Sequence, residues 1–299
     1  MAQPTRATNE TKRFFFMAQE YTQPVDGSRD RMERVRWSRM RLKLTIEYNG
    51  TRYSGWQVQD NARTIAGEIE RAVCEATGAN GSELYGSGRT DAGVHALRQV
   101  AHLEVRTSLS PETLRRRINE TLPSDIAIVA AESVSHRFHA RHDAIARSYI
   151  YQVATRKTAL SKNFVWWIKE PLDVAAIQRA AAHFVGFHDF RGFSDDDPDE
   201  KSTSVKLDAL DVYEDGSLLL FHLEGSHFIW KLVRRLVGVL VEVGRGRLTA
   251  EEAAGLLTSD SPRPAQLTAP ASGLFLERVY YPGDARDQPV QAAIVLTAD

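Results

Sequence analysis

The chain has 299 residues with a formal net charge of −1, and 42% of its residues are hydrophobic and 26% charged. This length and composition are typical of a globular protein with one large or two medium domains. No apolar run is long enough to span a bilayer, which argues against a membrane protein. The single cysteine, Cys74, excludes an internal disulfide and a cysteine metal cluster, and it favours a reducing compartment, the cytoplasm.

Charge is distributed unevenly along the chain. Residues 1–45 contain ten Lys and Arg against five Asp and Glu, and residues 225–250 contain five against one. Residues 189–215 instead contain three against ten. Such polarity would let one face bind phosphates, with the acidic run at 195–200 facing away from any nucleic acid. Scattered surface charge without a function is the alternative interpretation.

The first ordered element is expected after a polar beginning. Residues 1–38 predict a flexible, basic N-terminal tail, either disordered or an arm on RNA, and they lack a secretory signal pattern. In residues 41–48 the apolar side chains of Leu42, Leu44 and Ile46 alternate with polar ones, which predicts a half-buried strand.

The segment G-S-G-R-T-D-A-G-V-H-A at residues 86–96 concentrates unusual residues. Its three glycines allow a tight loop, and within that loop Asp91 lies two positions from Arg89. A carboxylate presented in this way is a candidate chemical group, because the arginine would keep it ionised. The alternative is an Asx-turn with Arg89 in solvent. The glycine spacing fits neither a dinucleotide fingerprint nor a Walker phosphate loop.

Histidines and a tyrosine follow this loop and its strand. His136, His139 and His142 recur at spacings of three, and together with Asp143 they could ligate a metal ion. Tyr149 begins the pattern Y-I-Y on a predicted strand, where its ring could stack on an RNA base or pack in the core.

Helical periodicity recurs along the chain, and residues 226–243 form its most apolar stretch. Because apolar residues cover most of that helix's circumference, the helix is predicted to be buried. Arg234 falls on an apolar side of this helix. Burying an arginine costs free energy unless an anion lies next to it. The helix is also predicted to have a polar stripe at its solvent edge, formed by Lys231, Arg235 and Glu242.

Four shorter helices are predicted elsewhere in the chain. They begin near Thr64, Pro111, Asp173 and Thr249.

Six segments resemble motifs of the TruA-type tRNA pseudouridine synthase family, all in the family's order. These enzymes break the glycosidic bond of a uridine, turn the uracil over and rejoin it through carbon. Two positions depart from the family pattern, with Arg98 in place of glycine and Leu232 in place of methionine. The segments are Y-S-G-W-Q-V-Q at 53–59, G-S-G-R-T-D-A-G-V-H-A at 86–96, F-H-A-R with R-S-Y-I-Y within 138–151, H-D-F-R-G-F at 188–193, F-I-W-K-L-V-R-R-L-V-G at 228–238 and A-P-A-S-G-L-F-L-E-R-V-Y at 269–280.

The resemblance implies roles for four residues, and Arg89 is weighed beside them because it adjoins Asp91 in sequence. Asp91 would be the catalytic residue, and Arg234 would be its buried cationic partner. Tyr149 would be the active-site aromatic that stacks on the uracil, and Leu274 would line the uracil pocket. Arg89 is the competing partner for Asp91, or it could point outward to grip phosphate or prop the flipped-out strand.

The resemblance also implies an α/β (α+β) fold with two similar halves. Each half would be a mainly antiparallel sheet with helices on one face, and the active-site cleft would lie between them. The implied boundaries are 39–145 and 146–283, followed by a loose C-terminal tail at 284–299. The implied protein is a cytoplasmic homodimer that needs no metal or organic cofactor. It would be an isomerase that converts uridine to pseudouridine in the anticodon stem-loop of tRNA, at tRNA positions 38, 39 and 40.

Two other functions remain open from the residues themselves. One is a metal-dependent phosphoesterase that uses His136, His139 and His142 with Asp143. The other is a non-catalytic RNA-binding module, in which the same basic surface binds RNA without turnover.

Overall fold

The structure is a computed structural model that describes residues 38–78, 81–196 and 201–296. The predicted tail at 1–38 therefore lies outside the described residues, apart from Ser38. The described residues form ten strands and six α-helices. The strands are β1 (Ser38–Tyr48), β2 (Glu83–Gly86), β3 (His95–Thr107), β4 (Ile126–Ser133), β5 (Ala146–Ala154), β6 (Trp166–Trp167), β7 (Gly186–Asp189), β8 (Ser204–Asp215), β9 (Leu218–Gly225) and β10 (Leu274–Tyr280). The helices are α1 (Ile65–Thr77), α2 (Pro111–Thr121), α3 (Val174–Ala181), α4 (Leu232–Gly244), α5 (Ala250–Gly255) and α6 (Arg263–Gln266).

The strands belong to one continuous sheet in the order β4-β1-β3-β10-β5-β9-β8-β7, with β2 paired to β3 and β6 paired to β5. Most neighbours are antiparallel, and β10–β3 and β5–β6 pair in parallel. Strand β10, which comes last in the chain, lies between β3 of the first half and β5 of the second. The predicted mixed, mainly antiparallel fold is therefore confirmed, and the strands of both halves join through β10.

Each half of the sheet has its own apolar core under its own helices. In the first half, Leu44 of β1 and Leu103 of β3 pack with residues of α1 and α2, and both are fully buried. In the second half, Phe221 of β9 packs with residues of α3, α4 and α5. Alternation along the strands sends these side chains to the helix-covered face of the sheet. None of the helices in the described ranges is long and apolar enough to cross a membrane.

Residues 290–296 form a C-terminal segment that packs on the sheet, which differs from the loose tail predicted for residues 284–299. The backbone N–H groups of Ala293 and Ile294 donate to Oε1 of Gln152 at 2.6 and 3.1 Å. Leu296 is 7% exposed and packs in a small cluster with alternate residues of β5 and β9. Those strand residues are apolar and point away from the helices, so the segment stabilises the fold by covering them.

Helix α4 also differs from its prediction. It begins at Leu232 rather than near residue 226, because Lys231 adopts φ +62° and the helix cannot extend through that conformation. The predicted solvent-edge stripe was wrong at two positions, since Arg235 is 3% and Glu242 8% exposed. Both are buried as ion pairs, Arg235 with Asp195 and Glu242 with two arginines, Arg245 and Arg247.

Candidate active site

The loop between β2 and β3 carries Asp91 and is held against the segment that precedes α1. The backbone N–H of Trp56 donates to the carbonyl of Thr90 at 3.1 Å. Gly55, at φ +91°, allows this contact, since a Cβ there would lie 2.6 Å from the same carbonyl oxygen. The side chain that follows that carbonyl, the Asp91 carboxylate, is thereby fixed in position.

Side chains from the sheet brace the same loop from below. Gln99 of β3 is fully buried, accepts a hydrogen bond from the Ser87 hydroxyl at 2.7 Å and donates one to the Gly88 carbonyl at 3.1 Å. The hydroxyls of Tyr48 and Thr90 share a hydrogen bond of 2.8 Å. Every one of these polar groups is satisfied within the protein, so the loop is held in one conformation.

Arg234 of α4 approaches Asp91 from the other half of the fold. Its Nη1 lies 3.3 Å from Oδ2 of Asp91, and the two side chains are 17% and 27% exposed. The Nε of Arg234 donates to the carbonyl of Ala269 at 2.7 Å, which fixes the plane of the guanidinium. Helix α4 can lie this close to that segment because position 238 is glycine, where a Cβ would lie 1.7 Å from the carbonyl oxygen of Leu267.

The five residues singled out from the sequence line one cavity of about 850 Å³. Tyr149 reaches it from β5, with its ring edge-on to Phe228 at a centroid distance of 4.7 Å. Burial raises the pKa of the Tyr149 hydroxyl to about 12, so this group is neutral at physiological pH. Leu274 is 6% exposed in the cavity wall, whereas Arg89 is an exposed residue of the lining. The structure thus pairs Arg234 with Asp91, and Arg89 is an exposed residue of the same cavity lining.

Arg147 is a lining residue that the sequence analysis did not single out. Its guanidinium donates to four backbone carbonyls, which belong to Ser87, Arg141, Ala144 and Ser226 at 3.0 to 3.3 Å. Burial lowers the pKa of Arg147. The residue ties the Asp91 loop to segments before β5 and after β9. The signal that could have found it is the arginine in R-S-Y-I-Y, two positions before Tyr149.

Two histidines of the alternative metal site, His139 and His142, pack against each other as rings. The rings of His139 and His142 lie 4.2 Å apart, and that of His139 lies 4.7 Å from His102. Nδ1 of His139 accepts hydrogen bonds from the backbone, and the Asp143 carboxylate accepts one from the His139 N–H. Within the described ranges, no group of three or more His, Cys, Asp or Glu is placed to hold a metal ion.

A family model described as tRNA pseudouridine synthase matches residues 44–143 and 180–282 of the chain. The chain belongs to the tRNA pseudouridine synthase family. The family predicted from the sequence is therefore confirmed. The matched ranges contain Asp91, Arg234 and Leu274, and Tyr149 lies between them.

Curated relatives agree with this assignment over nearly their whole length. The tRNA pseudouridine synthase A of Geobacter sp. (strain M21) is 40% identical over 244 residues, which are 81% of this chain and 98% of that protein. The protein of the same name from Nitrobacter hamburgensis is 40% identical over 81% of this chain and 99% of its own. The tRNA pseudouridine synthase A 2 of Bacillus anthracis is 37% identical over 80% of this chain and 98% of its own.

Proposed function

We propose that this protein isomerises uridine to pseudouridine in the anticodon stem-loop of tRNA, at tRNA positions 38, 39 and 40. One observation carries the proposal within this family. A carboxylate on a rigid loop, Asp91, lies 3.3 Å from a partly buried guanidinium, Arg234, in the wall of a cavity large enough for a nucleotide.

The reaction needs one carboxylate and no external reagent. The bond between N1 of uracil and C1′ of the ribose breaks, a bond between C5 and C1′ forms, and the proton lost from C5 is balanced by one gained at N1. In this scheme Asp91 acts on the sugar–base unit as nucleophile or base. Arg234, whose Nη1 lies 3.3 Å from that carboxylate, offsets its negative charge. No atom or electron is gained overall, so no cofactor is part of the proposal.

The uracil would enter the cavity by leaving the RNA stack. An enzyme that acts on the glycosidic bond must extrude the base, and it holds that base between flat or apolar side chains. The neutral ring of Tyr149 and the methyl groups of Leu274 supply such surfaces in one cavity. Arg89, exposed near Asp91, would contact the phosphate backbone, which positions the RNA without reading its sequence.

The same proposal covers the organisation of the molecule. The halves at 39–145 and 146–283 each contribute one member of the Asp91–Arg234 pair. We place the enzyme in the cytoplasm as a homodimer, as the family resemblance implies, with the basic tail at 1–38 as an arm on the RNA. The net positive charge of that tail, seven Lys and Arg against five Asp and Glu in residues 1–38, supports binding to phosphates.

The proposal is tested by incubating the full chain with unmodified tRNA and mapping pseudouridine at every position. Conversion confined to positions 38 to 40 is the expected result. Conversion elsewhere in the tRNA would keep the chemistry and overturn the assignment of the site in the RNA. A folded protein that leaves every uridine unchanged would overturn the proposed activity.

A further inference from the structure

Trp230 is an exposed aromatic residue in the lining of the cavity. It lies in the connection between β9 and α4, and 49% of its surface is exposed. Tryptophan is normally highly buried, because its indole is the largest apolar side chain. Its exposure beside Asp91 and Arg234 therefore suggests that something flat and apolar covers it when substrate binds.

Polar contacts hold this tryptophan in place. Its backbone N–H donates to Oδ2 of Asp196 at 2.9 Å, and the Nζ of Lys231 lies 4.6 Å from the centre of its ring. Lys231 is held in turn by Asp195 at 2.6 Å, and Asp195 also pairs with the buried Arg235. The indole is thus presented by a cross-linked set of charged groups, with one of its faces covered by a cation.

The backbone at this point is strained. Among the residues that the structure describes, Lys231 is the one non-glycine residue with a positive φ, at +62°. Such a conformation is costly for a lysine and persists only where surrounding contacts impose it. Here the contacts are the hydrogen bond from Lys231 Nζ to Asp195 and the one from the Trp230 backbone N–H to Asp196. As a result, α4 does not extend back to Trp230, and this residue lies in the cavity lining.

The two described carboxylates near Trp230 are paired with cations. The acidic run at 195–200 was expected to face away from a nucleic acid, whereas Asp196 lines the cavity. Asp195 is neutralised by Lys231 and Arg235, and Asp196 pairs with Lys201 at 3.1 Å. Each of these two carboxylates, among the residues that the structure describes, is therefore paired with at least one cation.

We propose that Trp230 forms a stacking subsite for a base adjacent to the target uridine in the RNA. This inference rests on the proposed function, because that function supplies the RNA. A cavity of about 850 Å³ is near the upper end of the range for drug-sized ligands, about 300–1,000 Å³, so it holds more than one base. Tyr149 takes the uracil, and the free face of the Trp230 indole takes its neighbour, as aromatic residues do for successive bases.

The test compares Trp230→Leu and Trp230→Phe with a matched control, Trp167→Leu. Trp167 of β6 is 41% exposed and also has a lysine over its ring, Lys157 at 5.6 Å, but it lies outside the cavity. Stacking of one base corresponds to about 5- to 150-fold in affinity. Trp230→Leu should therefore raise the KM for tRNA by about fivefold or more with a smaller change in kcat, and Trp230→Phe should recover most of that loss. Trp167→Leu should match the wild type.

A fluorescence measurement locates the base. 2-Aminopurine is placed in the tRNA at the position directly 5′ or directly 3′ of the target uridine, and its emission is followed on binding. Wild-type protein should quench one of the two probes, and Trp230→Leu should leave that probe bright at saturating protein. Equal quenching by both proteins, or a KM for Trp230→Leu equal to that of Trp167→Leu, would overturn the subsite.

Two other results would also decide against the subsite. If Trp230→Leu changes the mass of the protein in solution and leaves tRNA binding intact, the indole is a contact between protein chains. If wild-type protein binds tRNA and quenches neither probe, no adjacent base stacks there. A wild-type protein that forms no pseudouridine would instead contradict the proposed function, independently of any Trp230 variant.

Discussion

Arg234 and Asp91 are 143 positions apart in the sequence and form an ion pair of 3.3 Å in the cavity wall. One residue belongs to a helix of the second half and the other to a loop of the first. Both side chains are largely shielded from water, so their attraction is less screened than that of a surface pair. The pair therefore links the two halves of the sheet at the place where chemistry is proposed.

Replacing Arg234 with alanine should reduce both stability and turnover. The change leaves the Asp91 carboxylate without its cation and the Ala269 carbonyl without its donor. Loss of one member of a fully buried pair costs about 3–5 kcal/mol, and the partial exposure of both groups here predicts a smaller loss. Urea unfolding and turnover on tRNA measure the two effects. Arg89→Ala is the control, because Arg89 is exposed and its loss should spare stability.

A double-mutant cycle of Asp91→Ala with Arg234→Ala isolates the interaction itself. Groups in direct contact show coupling of about 0.5–3 kcal/mol, whereas independent groups are additive to within about 0.5 kcal/mol. We expect coupling in the unfolding free energy. Additive losses would mean that the 3.3 Å contact between Arg234 and Asp91 contributes nothing to stability and that Arg234 does not stabilise the Asp91 carboxylate.

Asp91→Asn should abolish turnover and leave the fold intact. The amide has the shape of the carboxylate and lacks its charge, and the loop is held by Gln99 and Tyr48 rather than by Asp91. The measurement is pseudouridine formation under single-turnover conditions, alongside thermal unfolding. Asp260→Asn is the matched control, since Asp260 is exposed and lies outside the cavity. Near-normal turnover by folded Asp91→Asn would remove the carboxylate from the mechanism.

The predicted site depended on signals that are local in the sequence. Asp91 stood out through the glycines around it, and Arg234 through its place on the apolar side of a helix. The need of a buried cation for an anion predicted an acidic partner for Arg234, and the family resemblance implied that this partner is Asp91, a contact that the structure contains. Alternation of buried and polar residues likewise predicted β1, where Leu42 and Leu44 are fully buried.

The features that were not predicted depend on contacts between distant parts of the chain. The start of α4 is set by Asp195 and Asp196, which precede it by more than 30 positions. The local sequence pattern, which contains no sign of those contacts, predicts a helix over residues 226–231 as well. The C-terminal segment packs because Gln152, 141 positions earlier, accepts its N–H groups. Local periodicity contains no information about either partner.

Substitutions of Tyr149 should separate its ring from its hydroxyl. Tyr149→Phe keeps the ring that packs edge-on to Phe228, and Tyr149→Leu removes it. Stacking on a base is worth about 1–3 kcal/mol, so the leucine variant should lose about fivefold or more in kcat/KM relative to the phenylalanine variant. Equal kcat/KM for wild type and Tyr149→Leu would show that Tyr149 does not hold the uracil.

The Tyr149→Phe variant also tests whether the Tyr149 hydroxyl contributes to the pH dependence of the rate. Burial raises the pKa of Tyr149 to about 12, so its hydroxyl stays protonated throughout the usual assay range. Tyr149→Phe should therefore leave the shape of the pH–rate profile unchanged between pH 6 and pH 9. A shifted alkaline limb in the phenylalanine variant would mean that the hydroxyl ionises in that range and takes part in proton transfer.

His102 should make the protein less stable as the pH falls below about 6.5. Burial lowers the pKa of His102 to about 4, and its ring accepts the N–H of Ala140 at 3.2 Å in the neutral form. A folded-state pKa below the unfolded value of 6.5 means that the unfolded chain binds the proton first. The stabilisation is therefore complete above pH 6.5 and is lost as the pH falls towards 4.

Unfolding by urea at pH 7.5 and pH 5 measures this loss of stability. His102→Asn, whose amide oxygen can accept the same N–H and does not titrate, should show a smaller difference between the two pH values. An equal difference in both proteins would show that other groups, such as His95 and His139, account for the acid sensitivity.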